Sequence, residues 1–133
     1  MTNALPEYYF RIRENGAAVF RIASENRQRR IEMDQIAVVN TNQGDFKPHG
    51  DYSLSETDKA AITAWLEQRM ALLSARALDD IHRTVDHLNL TTQWAQSKAS
   101  DAELEDVTDR LLLAMHDLRS VLVRKKADRL PEG

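Results

Sequence analysis

Between Asp51 and Leu130 the chain contains neither glycine nor proline. So long a stretch without either breaker is not built from short strands and tight turns; it reads as helix. The glycines, at positions 16, 44, 50 and 133, and the prolines, at 6, 48 and 131, all lie outside it. The chain therefore divides near residue 50 into a turn-punctuated first part and a helical second part. Strands first and helices after predict an α+β fold and not alternating βαβ units.

Within the helical part, Ser100 to Arg129 carries the clearest pattern. Leu104, Val107, Leu111, Ala114, Leu118 and Val121 are spaced three, four, three, four and three residues apart, which keeps one apolar stripe facing a partner helix. Leu112, Met115 and Leu122 widen the stripe. Ser100 with Glu103 three residues later has the spacing of a capping box. Acidic residues crowd the first turns (Asp101, Glu103, Glu105, Asp106) and basic residues the end (Arg124, Lys125, Lys126), each sign complementing the helix dipole. Upstream, Ser55 with Asp58 forms a second capping signature. Ile62, Trp65, Leu66, Met70 and Leu73 begin a stripe that continues through Ala77, Ile81, Val85 and Leu88. Residues 55–98 are expected to form one helix of roughly 60 Å, or two with a joint near 74–79 or 89–92. The strong helix formers across 70–78 favour continuity.

The first part reads as an antiparallel meander of three to five strands over residues 7–48. Residues 7–13 and 17–23 alternate in polarity around Asn15-Gly16, a strong hairpin signal. Residues 24–28 read as a polar turn. Ile31 and Met33 continue the alternation, and residues 36–39 extend that strand past a bulge or form another. Asp45 to Pro48 reads as an edge segment, where proline is tolerated. Alternation predicts one face carrying Phe10, Ile12, Phe20, Ile22, Ile31 and Met33 under the helices. The opposite face then carries Arg11, Arg13, Arg21, Arg30 and Glu32, with Tyr9 among them.

Composition narrows the function classes. The 133 residues fit a single domain, and the net charge of −3 gives no global attraction to nucleic acid or anionic lipid. Without cysteine there are no disulfides or thiolate metal sites, which fits a reducing compartment. The N-terminus lacks the pattern of a signal peptide, and no apolar window reaches membrane-spanning length. The expectation is a soluble cytoplasmic protein.

No nucleophile elbow, phosphate-binding glycine loop, dinucleotide fingerprint or zinc-protease motif is present, so a non-enzymatic role without a cofactor is expected. Three surfaces compete for a function. The stripe through Leu104, Val107, Leu111, Leu118 and Val121 is the candidate oligomer interface, because a hairpin this long cannot bury both stripes against one small sheet. A homodimer whose hairpins form a helical bundle resolves this. The face with Tyr9, Arg11, Arg13, Arg21 and Arg30 is the candidate partner-binding surface. It suits a protein partner first and, with the basic cluster at 124–129, nucleic acid second, since arginine is a planar donor to phosphate and tyrosine stacks on bases. The bland alternative for these arginines is a solvated face paired with nearby glutamates, because residues 1–53 hold seven basic and seven acidic side chains. Third, Asp79, His82 and Asp86 share a helix face and define a metal-binding or metalloenzyme alternative, with His116 and Asp117 the only suitable groups on the facing helix. A solvated face with local ion pairs accounts for that cluster more simply.

Overall fold

The computed structural model describes residues 5–23 and 31–131. Four strands and two helices follow one another: β1 (Tyr8–Arg13), β2 (Gly16–Ala23), β3 (Glu32–Asn40), β4 (Asp45–Pro48), α1 (Glu56–Ser97) and α2 (Asp101–Arg129). The strands form one antiparallel sheet in the order β1-β2-β3-β4, so each pairs with its neighbour in sequence. This is the expected α+β arrangement, with a four-stranded meander ahead of a helical hairpin. Residues 56–97 form one unbroken helix. The polar turn read at 24–28 lies outside the described residues.

The chain groups into two compact units, Met1–Asp80 and Ile81–Gly133. In the first, the core is Ala17, Val19, Ile36, Ala37 and Val39 of the sheet against Ile62 and Leu66 of α1. Tyr8, Phe10, Phe46, Tyr52, Leu54 and Trp65 pack around it. The rings of Phe10 and Trp65 stack with centroids 4.5 Å apart and planes 3° from parallel. In the second unit, Lys98 and Ala99 donate their N–H groups to the Trp94 carbonyl and close α1. Ser100 then caps α2, its Oγ accepting from the Glu103 N–H and its own N–H donating to the Glu103 carboxylate. Those two bonds to Ser100 hold the Glu103 carboxyl below its usual range.

The expected face assignment needs correction. β1 and β2 are joined by the two-residue loop Glu14-Asn15, and Arg13 pairs with Gly16. Partners across an antiparallel pair share a face, and here an even-numbered residue of β1 always meets an odd-numbered residue of β2. Phe10 thus sits beside Val19 on the helix-facing side, while Phe20 sits beside Tyr9 on the outer side. Ile22 and Met33, paired with each other, also lie outside, and Met33 and Ile31 are exposed. The helix-facing side is built instead from Tyr8, Phe10, Ala17, Val19, Ala37, Val39 and Phe46. A register shift between Val19 and Phe20 leaves Ile36 without a partner, and its side chain is fully buried. Residues 36–39 are therefore the extension of β3 past a bulge. β4 is the expected edge strand, ending at Pro48.

The Asn-Gly hairpin forms, but Gly16 is not its left-handed residue. The positive-φ glycines are Gly44 and Gly50. Gly16 opens β2, where a Cβ would lie 1.8 Å from the Val39 carbonyl oxygen. It is glycine because the β3 backbone occupies the space a side chain would need.

Candidate functional site

The outer sheet face collects Tyr9, Arg11 and Arg13 of β1 beside Phe20, Ala18 and Gly16 of β2. Beyond them come Gln35 and Val38 of β3, with Lys47 of β4 opposite Val38. Arg11 lies over the aromatic pair, its guanidinium carbon 4.4 Å from the Phe20 ring centroid and 5.9 Å from that of Tyr9. The Tyr9 and Phe20 rings are 6.2 Å apart and tilted by 39°. Cation–π contact of this kind holds a guanidinium in place without neutralising it. Phe20 is buried by these neighbours, whereas Tyr9, Arg11 and Arg13 are exposed.

Of the five candidate partner-binding residues, the structure brings three together on this face, and Glu32 lies on the other side, paired with Ala23. Arg30 lies outside the described residues. Arg21 lies on the other side, paired with Tyr8 and Asp34, and turns toward α1. The parity of the hairpin loop moves it there, as it moves Phe20 the other way.

Arg21 belongs to a site that the sequence reading missed, centred on Asp58. This carboxylate is only 1% exposed, and no other charged or polar residue among those described is buried. Its Oδ1 accepts the Tyr8 hydroxyl at 2.5 Å and approaches Arg21 Nη1 at 3.5 Å. Its Oδ2 accepts the Ser55 N–H at 3.1 Å, and its own N–H donates to Ser55 Oγ at 3.0 Å. The expected capping box is therefore present and is also the link between helix and sheet. Arg21 reaches Glu7 as well, at 3.2 Å. Burial alone would raise the Asp58 pKa. The hydrogen bonds from Tyr8 and Ser55, with Arg21 nearby, outweigh it and hold the carboxyl below its usual value. Burial first, then the bond to the Asp58 anion, pushes Tyr8 up to about 12. The signal for Asp58 was available: it lies four residues before Ile62 and eight before Leu66, on the buried stripe itself.

A raised tyrosine pKa contributes stability that is complete below the ordinary value of 10.0 and lost as pH rises through about 12. Ultraviolet titration is expected to show one tyrosine ionising near pH 12, and Tyr8→Phe is expected to remove that step. The stability lost across this window in the wild type is on the order of 2 kcal/mol.

In the second unit, Leu104 and Val107 are half-buried, while Leu111, Leu118 and Val121 are exposed. A groove of about 550 Å³ is lined by Leu88 and Trp94 of α1 and by Leu104, Val107, Leu111 and Met115 of α2, among others. The threonines around it donate their hydroxyls to carbonyls one turn back in their own helices: Thr91 to His87, Thr92 to Leu88, Thr108 to Leu104. The groove is therefore apolar in character.

Among the described residues, no three His, Cys, Asp or Glu side chains are grouped to hold a metal ion, at Asp79, His82 and Asp86 or elsewhere. Nor is any described helix long and apolar enough to cross a membrane. No protein family, curated protein or solved structure matches the chain.

Proposed function

We propose that the protein is a non-enzymatic interaction module that works as a homodimer, with the helical hairpin as the pairing surface. The observation that carries this reading is that no residue of α2 is buried although the helix bears a continuous apolar seam. Leu118 is 51% exposed and Met115 50%. Exposed apolar area of this extent and regularity is characteristic of an association surface.

A second copy of the chain is the occupant that the charge pattern fits. α2 is acidic at its start and basic at its end, with Met115 at its midpoint. Two copies packed antiparallel about a twofold axis near Met115 set each acidic end against a basic one and each leucine seam against its equivalent. Such an interface is self-complementary, with the leucines supplying the affinity and the charges the orientation. The reading places the protein in the cytoplasm, with which its cysteine-free composition is compatible.

Light scattering on the eluting peak is expected to give about 30 kDa, twice the chain mass of 15.2 kDa. The double variant Leu111→Glu, Leu118→Glu is expected to elute at the single-chain mass with its helix content retained, because neither residue contributes to the core of the sheet unit. A wild-type mass of 15.2 kDa at tens of micromolar overturns the homodimer and leaves the seam to a different protein.

A further inference from the structure

We propose that the outer face of the sheet binds single-stranded nucleic acid, with bases stacking on Tyr9 and Arg11 and phosphates held by Arg13 and Lys47. Such binding does not require the helical hairpin to pair.

This face leaves positive charge unpaired. Arg11, Arg13 and Lys47 share this face by register, and none forms an ion pair among the described residues. Asp45, two residues from Lys47, is the carboxylate in β1–β4 that the register places with them. The helix-facing side treats its cation differently, since Arg21 is held by both Asp58 and Glu7. The chain is acidic overall, yet this face presents a local excess of positive charge, and a local field steers a polyanion whatever the net charge.

Geometry then selects among polyanions. Arg11 sits over the Phe20 ring and is exposed, so its guanidinium is held at the surface of this face. Tyr9, 42% exposed, stands beside it. A planar cation and an aromatic ring side by side form a platform for unstacked bases, and stacking of this kind tolerates any base. At the turn end of the same face, a depression of about 360 Å³ is lined by Arg13, Lys47, Asn40 and Gln43, with Asp45 as its one carboxylate, beside Gly16. Its volume falls in the range of small-ligand sites, and its amides and cations suit a nucleotide better than an apolar side chain. An acidic peptide would use the cations and leave the aromatic platform idle. A single strand uses both.

The test is fluorescence anisotropy of a labelled 20-mer of oligouridylate, and of the matching oligothymidylate, titrated with the full-length protein. With two phosphates held, affinity is expected to fall roughly sevenfold between 50 and 200 mM salt. Tyr9→Ala is expected to weaken binding by about tenfold or more while leaving the charge unchanged. Arg11→Lys is expected to weaken the oligonucleotide and leave inorganic polyphosphate unaffected. The pair Arg13→Ala, Lys47→Ala is expected to flatten the salt dependence. All these side chains are exposed, so each variant is expected to keep its folded circular-dichroism spectrum, with a lower melt for Tyr9→Ala because it uncovers part of Phe20. Absence of binding at 50 mM salt and 100 μM protein overturns the proposal. So does equal competition by polyphosphate or polyglutamate, or indifference to Tyr9→Ala and Arg11→Lys, because plain polyanion attraction then suffices. Binding of one oligonucleotide but not the other, with the Tyr9 and Arg11 dependence above, also supports it.

Discussion

Replacing Gly16 with alanine is expected to destabilise the sheet unit by more than about 4 kcal/mol, enough to unfold many domains of this size. The added methyl group would sit 1.8 Å from the Val39 carbonyl oxygen and 2.8 Å from its carbon, both backbone atoms of the neighbouring strand. No rotamer change relieves such an overlap. Either β3 moves away from β2 and their ladder opens, or the hairpin shifts its register and exchanges its two faces. Gly50→Ala supplies the contrast. Its φ of +53° disfavours a side chain, but nothing lies within 4 Å of the added atom, so a cost of about 1 kcal/mol is expected. Urea unfolding followed by circular dichroism compares the two. A Gly16→Ala chain as stable as Gly50→Ala would show that the strands at this point tolerate separation.

The second large effect is expected at Asp58. Asp58→Ala removes one half of the capping box, its bond from the Ser55 N–H, worth about 1 kcal/mol. It also strands the Tyr8 hydroxyl, which is half-buried and loses its acceptor. Arg21 is nearly half-exposed, so water replaces its share. The sum is about 3 kcal/mol, or roughly 10 °C in Tm for a chain of this size. Ser55→Ala removes only the reciprocal half of the cap and is expected to cost about 1 kcal/mol. The pH dependence has a definite sign. A carboxyl whose folded pKa lies below its unfolded value contributes stability that is present above the unfolded value, near 3.9, and lost as pH falls through the lower folded one. Asp58→Asn should therefore be less stable than wild type at neutral pH, and the difference should shrink on acidification. A constant difference down to pH 2 would mean that the carboxylate's charge contributes nothing.

Much of this architecture was legible because its signals are local. Ser100 with Glu103 and Ser55 with Asp58 announced two helix starts by spacing alone, and both capping boxes form. The absence of breakers through 70–78 announced that α1 does not stop there. The faces of the sheet were less legible, because alternation gives the period of a strand without its phase relative to the next. Phe10 and Phe20 look equivalent in sequence. A two-residue loop makes partner numbers sum to an odd value, which puts them on opposite sides. That one parity separated Arg21 from Arg11 and Arg13, hid the Arg11–Phe20 contact and concealed the partner of Asp58. Burial of Asp58 was legible only to a reading that let a charged residue occupy an apolar stripe, which its three donors make affordable.

The core of the sheet unit is complete at Leu66, halfway along the chain. Every strand pairs with the one synthesised just before it, and the helical turns that cover them follow directly. A growing chain on the ribosome therefore has everything its sheet requires before any of α2 has been made. The sheet passes through only a short interval in which its apolar side is finished and uncovered, the interval between Pro48 and Leu66. The order of elements thus limits exposure of the aggregation-prone strands during synthesis, when unprotected edges and apolar faces do most harm.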